Sequence, residues 1–164
     1  MNAMAKTKTV KGGAEFSALL QQAGDNAITV AKRACYAGIG VLADAIKTEV
    51  QNLPEDSGYK PKGQKRNVIG TWDKEQLQQK LGVSHIEATG DGANVAVSFA
   101  GYNGRPTKKY PNGVPIPLIA RSIESGSSVR QKNPFIRRAF NNAQSQALQK
   151  AIDAGQTALN ELIK

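Results

Sequence analysis

The chain has 164 residues, 40% of them hydrophobic but only 5% aromatic, and 22 basic against 13 acidic residues give it a net charge of +9. That length fits one domain able to bury a core of its own, and alanine in place of aromatics predicts closely packed helices with a thin sheet. The single cysteine, Cys35, excludes an internal disulfide.

Cys35 lies at an apolar helical position and reads as a small buried side chain in a protein folded in a reducing cytoplasm. Residues 1–11 lack the apolar run of a signal peptide, and no window is apolar over the ~18 residues a span needs, so a soluble protein with no membrane partner is expected. The basic excess raises encounter rates with polyanions. Base readout needs a recognition element as well, and complementarity with an acidic neighbour explains the charge more simply.

Residues 1–13, rich in Lys, Thr and Gly, read as a flexible N-terminal tail, and 14–164 as a single domain. Phe16, Leu19 and Leu20 predict a short amphipathic helix broken at Gly24. A longer helix follows, capped by Asp25, with apolar positions at Ile28, Ala31, Cys35, Ile39, Leu42, Ile46, Val50 and Leu53. Gly38 and Gly40 within it cost about 1 kcal/mol each relative to Ala and point to close contact with a neighbouring helix. Leu53-Pro54 ends it.

Residues 54–70 have almost nothing to bury and carry Lys60, Lys62, Lys65 and Arg66, which predicts a long exposed basic loop. Asp73 and Gln76 read as a capping box opening a short helix to Leu81, stopped at Gly82. Two strands, 83–89 and 93–100, flank an Asp91-Gly92 turn, with Val95, Val97 and Phe99 facing the core and Ile86 and Ala88 opposite them. A second exposed loop, 101–114, places Asn103-Gly104 and Asn112-Gly113 turns around Lys108-Lys109-Tyr110. Pro117 opens a helix to Ser125, Gly126 follows it, and a polar hinge leads to a last helix capped by Asn133, with Pro134 in its first position. The apolar positions of that helix are Phe135, Ala139, Phe140, Ala143, Ala147, Ala151, Ala154, Ala158, Leu159 and Leu162; Gly155 is a candidate bend. The fold class is α+β: long amphipathic N-terminal and C-terminal helices on a small antiparallel sheet that includes a β-hairpin, with long exposed loops.

No catalytic set emerges. His85, the sole histidine, lies in a predicted strand and lacks the cysteine and carboxylate company of a zinc site. A Cys35–His85 nucleophilic pair has no third orienting group. Glu87 with Asp91, and Glu55 with Asp56, are accounted for by turn chemistry and solvation. Gly38-Ile39-Gly40 lacks the third glycine of a dinucleotide fingerprint, and Ser125-Gly126-Ser127-Ser128 lacks nucleophile-elbow spacing. No catalytic, cofactor-binding or metal-binding residue is assigned.

The candidate site is therefore an interaction surface. It comprises Lys60, Lys62, Lys65 and Arg66 on the first loop, Lys108 and Lys109 on the second, and Arg121, Glu124, Arg130, Lys132, Phe135, Arg137 and Arg138 around the last two helices. Aromatics are too sparse for a single-strand stacking platform. Arg137 and Arg138 oppose the helix macrodipole, which suggests an external anion such as Glu124 of a neighbouring copy, or simply an exposed face.

Three segments carry a family resemblance. They are Leu53-Pro54-Glu55-Asp56-Ser57-Gly58 at the end of a helix, Ile119-Ala120-Arg121-Ser122-Ile123-Glu124-Ser125-Gly126-Ser127, and Asn133-Pro134-Phe135-Ile136-Arg137-Arg138-Ala139-Phe140. In order and spacing the chain resembles the head–tail joining (tail-completion, or minor tail component) proteins of long-tailed bacteriophages over residues 15–160, departing from them at the basic insertion 59–72. The resemblance implies a non-enzymatic virion protein at the neck, made in the host cytoplasm. It would form a homo-oligomeric ring, hexameric in the virion, that completes the tail. Its partners would be the tail tube or tail terminator, the head connector and, in the lumen, passing genomic DNA. The alternative is a small basic nucleic-acid-binding protein.

Overall fold

The computed structural model describes residues 13–55, 65–89 and 92–163, of which 13–23, 25, 89, 162 and 163 are described by their backbone alone. The expected tail thus falls outside the described residues up to residue 12, as do Lys60, Lys62 and the Asp91 corner. The described elements are α1 (Gly13–Gln51), α2 (Thr71–Gln79), β1 (Leu81–Val83), β2 (Glu87–Thr89), β3 (Gly92–Asn94), β4 (Val97–Phe99), α3 (Ile116–Glu124) and α4 (Phe135–Ile163). The α+β expectation holds, with long helices at both ends and antiparallel strands between them.

α1 is one helix of 39 residues, not two. Neither Gly24 nor Asp25 interrupts it; the penalty for one glycine is only about 1 kcal/mol, and α1 elsewhere packs lengthwise against α4. The expected line of apolar residues faces inward, culminating in buried Ile46, Val50 and Leu53. Gly38 is a true close approach: a Cβ there would stand 3.0 Å from the Ala147 carbonyl oxygen and 3.2 Å from the Ala151 Cβ. Gly40 is not, since nothing lies within 4 Å of the same position. Gly155 faces Ala34 and Val30 of α1 without ending α4. The helix pair is tied by an Arg33–Glu161 ion pair and by Arg138, whose Nε and Nη2 donate to Glu49 Oε2 at 3.0 and 2.8 Å.

The limb returning from the first loop is not empty of core. Ile69 is among the largest fully buried side chains; its N–H donates to the Pro54 carbonyl at 2.8 Å. Lys74 Nζ joins α2 to the end of α1 by donating to the Leu53 carbonyl at 3.0 Å and to Glu55 Oε1 at 2.8 Å. The expected capping box does not form: α2 starts after Gly70 with no side-chain cap, and the Asp73 carboxylate is used elsewhere. The helix also ends earlier than expected, at Gln79, and Leu81 opens β1.

The two predicted strands break into two pairs, β1 with β4 and β2 with β3. Val83 faces Val97 and Glu87 faces Asn94, so one strand has an extra residue between the pairs. The Ser84 N–H still donates to the Ala96 carbonyl (2.8 Å), and the Ala96 N–H turns to Ser84 Oγ (2.9 Å). The bulge leaves Ile86 buried but Ala88 exposed, correcting Ala88 as a core partner. Val95, Val97 and Phe99 alternate with exposed residues as expected. One core joins these parts: Ile46, Val50, Leu53, Ile69, Leu77, Ile116, Ile119, Ile123 and Phe135, with Phe99 packed against it. Among the described residues no helix is long and apolar enough to cross a membrane.

Candidate functional site

The three resemblance segments meet at one place. Leu53, Pro54, Ile123 and Asn133 line a crevice of about 10 Å³, floored by Ile69 and flanked by Arg130, room for one water at most. It is a joint, not a ligand cavity. The stretch between α3 and α4, expected to be a hinge, is fixed across its ends. Gly126 turns the chain at φ +77°, the Ser127 N–H donates to the Arg130 carbonyl (2.9 Å), and the Asn133 N–H donates to that of Ile123 (2.7 Å). Arg66 pairs its backbone with both sides of Arg130: its N–H reaches Val129 O at 2.9 Å and its carbonyl accepts Gln131 N–H at 2.6 Å.

Glu124 has a different role from the expected one. Its carboxylate accepts the backbone N–H of Ile136 at 2.8 Å and of Arg137 at 3.3 Å, satisfying two of the donors that a helix N-terminus leaves free. It therefore caps α4 of its own chain, where the sequence suggested a contact with a neighbouring copy. Asn133, expected to be the cap, instead accepts from Arg138 Nη1 through Oδ1 at 2.9 Å. Phe135 is fully buried, its ring centroid 6.2 Å from that of Phe99, so it is core and not interface.

The candidate cations divide accordingly. Arg138 is committed to Glu49. Arg130 is half-buried: burial pushes its guanidinium below the usual value, with nearby Asp73 opposing and Arg66 adding to the shift. Its Nη1 lies 3.4 Å from the Val68 carbonyl. Lys65, Lys108, Lys109, Arg121, Lys132 and Arg137 are exposed. Arg121 lies in the last turn of α3, where a cation suits the macrodipole.

The second loop is built around a residue that the sequence suggested only as a turn former. Asn103 is 5% exposed; its Oδ1 accepts the N–H groups of Val114 (2.9 Å) and Arg105 (3.1 Å), and its Nδ2 donates to Asp73 Oδ1 at 3.0 Å. Its carbonyl accepts the Trp72 indole N–H at 2.6 Å. Beyond it, Thr107 and Tyr110 exchange both backbone hydrogen bonds, at 2.9 and 3.1 Å, putting Lys108 and Lys109 at a two-residue tip. The Arg105 guanidinium stacks over the Trp72 ring at 4.9 Å, and Lys109 Nζ lies 5.5 Å from the Tyr110 ring centre.

Sequence reasoning also passed over Leu148 and Ile152 of α4. Together with Leu159 they are exposed, Leu148 to 63%, and at spacings of four and seven residues they share one face. The signal was present: large apolar residues displaced from the small-residue line of Ala139, Ala143, Ala147 and Ala158 that α1 covers. Cys35 Sγ donates to the Ala93 carbonyl at 3.3 Å, and His85 is exposed. Among the described residues no three His, Cys, Asp or Glu side chains group as metal ligands do. No protein-family model matches the chain, and neither a characterised protein nor a solved structure matches it.

Proposed function

We propose that this chain is a non-enzymatic structural subunit of a phage virion, forming a ring at the neck that completes the tail and joins it to the head connector. The observation that carries this reading is the convergence of the three resemblance segments on one locked joint. A subunit that must close a ring needs a fixed angle between its body and the arm that meets the next copy, since the closure angle sets the number of subunits. Glu124 and the Gly126 turn fix the angle between α3 and α4, and α1 holds α4 along its length.

The arm carries a suitable contact. Leu148, Ile152 and Leu159 form an apolar ridge along α4, the kind of exposed surface that marks association sites. The test is a Leu148→Glu/Ile152→Glu double variant. Because both side chains are exposed, its circular dichroism and unfolding midpoint should stay close to wild type. Added to tails lacking the protein, wild type should restore head joining and the variant should not. Equal completion by both proteins, or none by wild type, overturns the reading.

A further inference from the structure

We propose that the Trp72–Arg105–Lys108–Lys109 surface binds the sugar–phosphate backbone of a nucleic acid. This surface is separate from the α4 ridge and stands whether or not that ridge joins copies of the chain. Three cations fall within residues 105–109, and among the described residues none of them forms an ion pair with a carboxylate. Arg105 and Lys109 instead lie over ring faces. A ring face holds a cation in place without using its N–H donors, so the guanidinium fork of Arg105 stays available for two-pronged contact with a phosphate.

The support beneath these groups is rigid. The Trp72 ring is set by its hydrogen bond to the Asn103 carbonyl, and Asn103 is itself held by Val114 and Asp73. The lysine tip is closed by the paired Thr107 and Tyr110. Little ordering remains to be done when a ligand arrives, and preorganisation of this kind raises affinity. An acidic protein segment would satisfy the charges alone. Nucleic acid also uses what lies beside them: the Trp72 ring under the Arg105 guanidinium keeps exposed aromatic surface, onto which a sugar can pack, and the whole chain's charge of +9 attracts a polyanion from a distance.

The test uses full-length protein with fluorescein-labelled 20-nucleotide single-stranded DNA, the matching duplex, and poly-glutamate, titrated from 50 to 200 mM salt. Trp72 is the only tryptophan, so its emission reports ligand at this surface directly. DNA binding should quench or shift that emission and weaken steeply with salt. Lys108→Ala/Lys109→Ala should lower the slope of log affinity against log salt by about 2, one per phosphate contact. Arg105→Ala should weaken binding about tenfold and abolish the emission change. Stronger binding of the single strand identifies added packing on the exposed Trp72 ring, and stronger binding of the duplex identifies backbone contact alone; both support the proposal. Any of three results overturns it: DNA affinity that all these substitutions leave unchanged, absence of DNA binding at 50 mM salt, or poly-glutamate binding as tight and as sensitive to Arg105→Ala as DNA.

Discussion

The carboxylate of Glu124, the last residue of α3, accepts the N–H of Ile136 in the first turn of α4 at 2.8 Å. Twelve residues of sequence separate the two, yet a side chain at the end of one helix caps the start of the next.

That contact sets the first expectation. Glu124→Ala should destabilise the protein by about 1 kcal/mol, the usual cost of losing an N-terminal cap. Glu124→Gln keeps an acceptor oxygen but loses the charge that suits the helix N-terminus, so its loss should be smaller. Urea unfolding of the three proteins checks the order, and hydrogen exchange at Ile136 and Arg137 checks the site.

The second loop should behave as part of the core. Asn103→Ala leaves the part-buried N–H of Val114 without its partner, costing about 1 kcal/mol or more. Asn103→Asp should be at least as damaging, because a carboxylate would then face Asp73 where an amide now donates at 3.0 Å. Gly113→Ala should add strain of its own: φ is +91°, and the new Cβ would lie 2.6 Å from Asn103 Oδ1. Limited proteolysis at Lys108 and Lys109 should quicken in all three variants.

Two glycines of α1 should respond in opposite directions. Gly40→Ala, with open space around it, should stabilise by up to about 1 kcal/mol through helix propensity. Gly38→Ala must push α4 away from a 3.0 Å contact with backbone and should destabilise despite the same propensity gain. Thermal melts of the pair give the signs.

Glu55 offers a test by titration. The hydrogen bond and the positive charge of Lys74 hold its carboxyl below the usual value, with a smaller contribution from Thr71. A depressed folded pKa means that this interaction contributes fully above the ordinary value of ~4.3 and is lost as the pH falls through the lowered one. Lys74→Met should move the Glu55 midpoint upward toward the ordinary value, read by carboxyl-resolved nuclear magnetic resonance. An unmoved midpoint would remove Lys74 as the cause.

The sequence was legible where spacing alone decides. The inward line from Ile46 to Leu53, the alternation of Val95, Val97 and Phe99, Pro117 in the first turn of α3, and Gly126 just past its end all stand. It was illegible where a partner distant in the chain decides. Gly38 and Gly40 look alike until Ala147 is brought against one of them. Asn103 reads as a turn residue, and only the arrival of Asp73 and Val114 makes it a buried hub. Glu124 and Arg138 carry charge without showing that each is satisfied inside its own chain. Of the candidate surface, Lys65, Lys108, Lys109, Arg121, Lys132 and Arg137 stay exposed, and the separate apolar ridge of α4 was not revealed by periodicity toward the core.

The most direct test of the assembly role is electron cryo-microscopy of phage tails prepared with and without this protein. Closed ring density is expected at the head-proximal end only when the chain is present, with α4 ridges at the boundaries between neighbouring copies. Tails whose head-proximal end is identical in both preparations would contradict it.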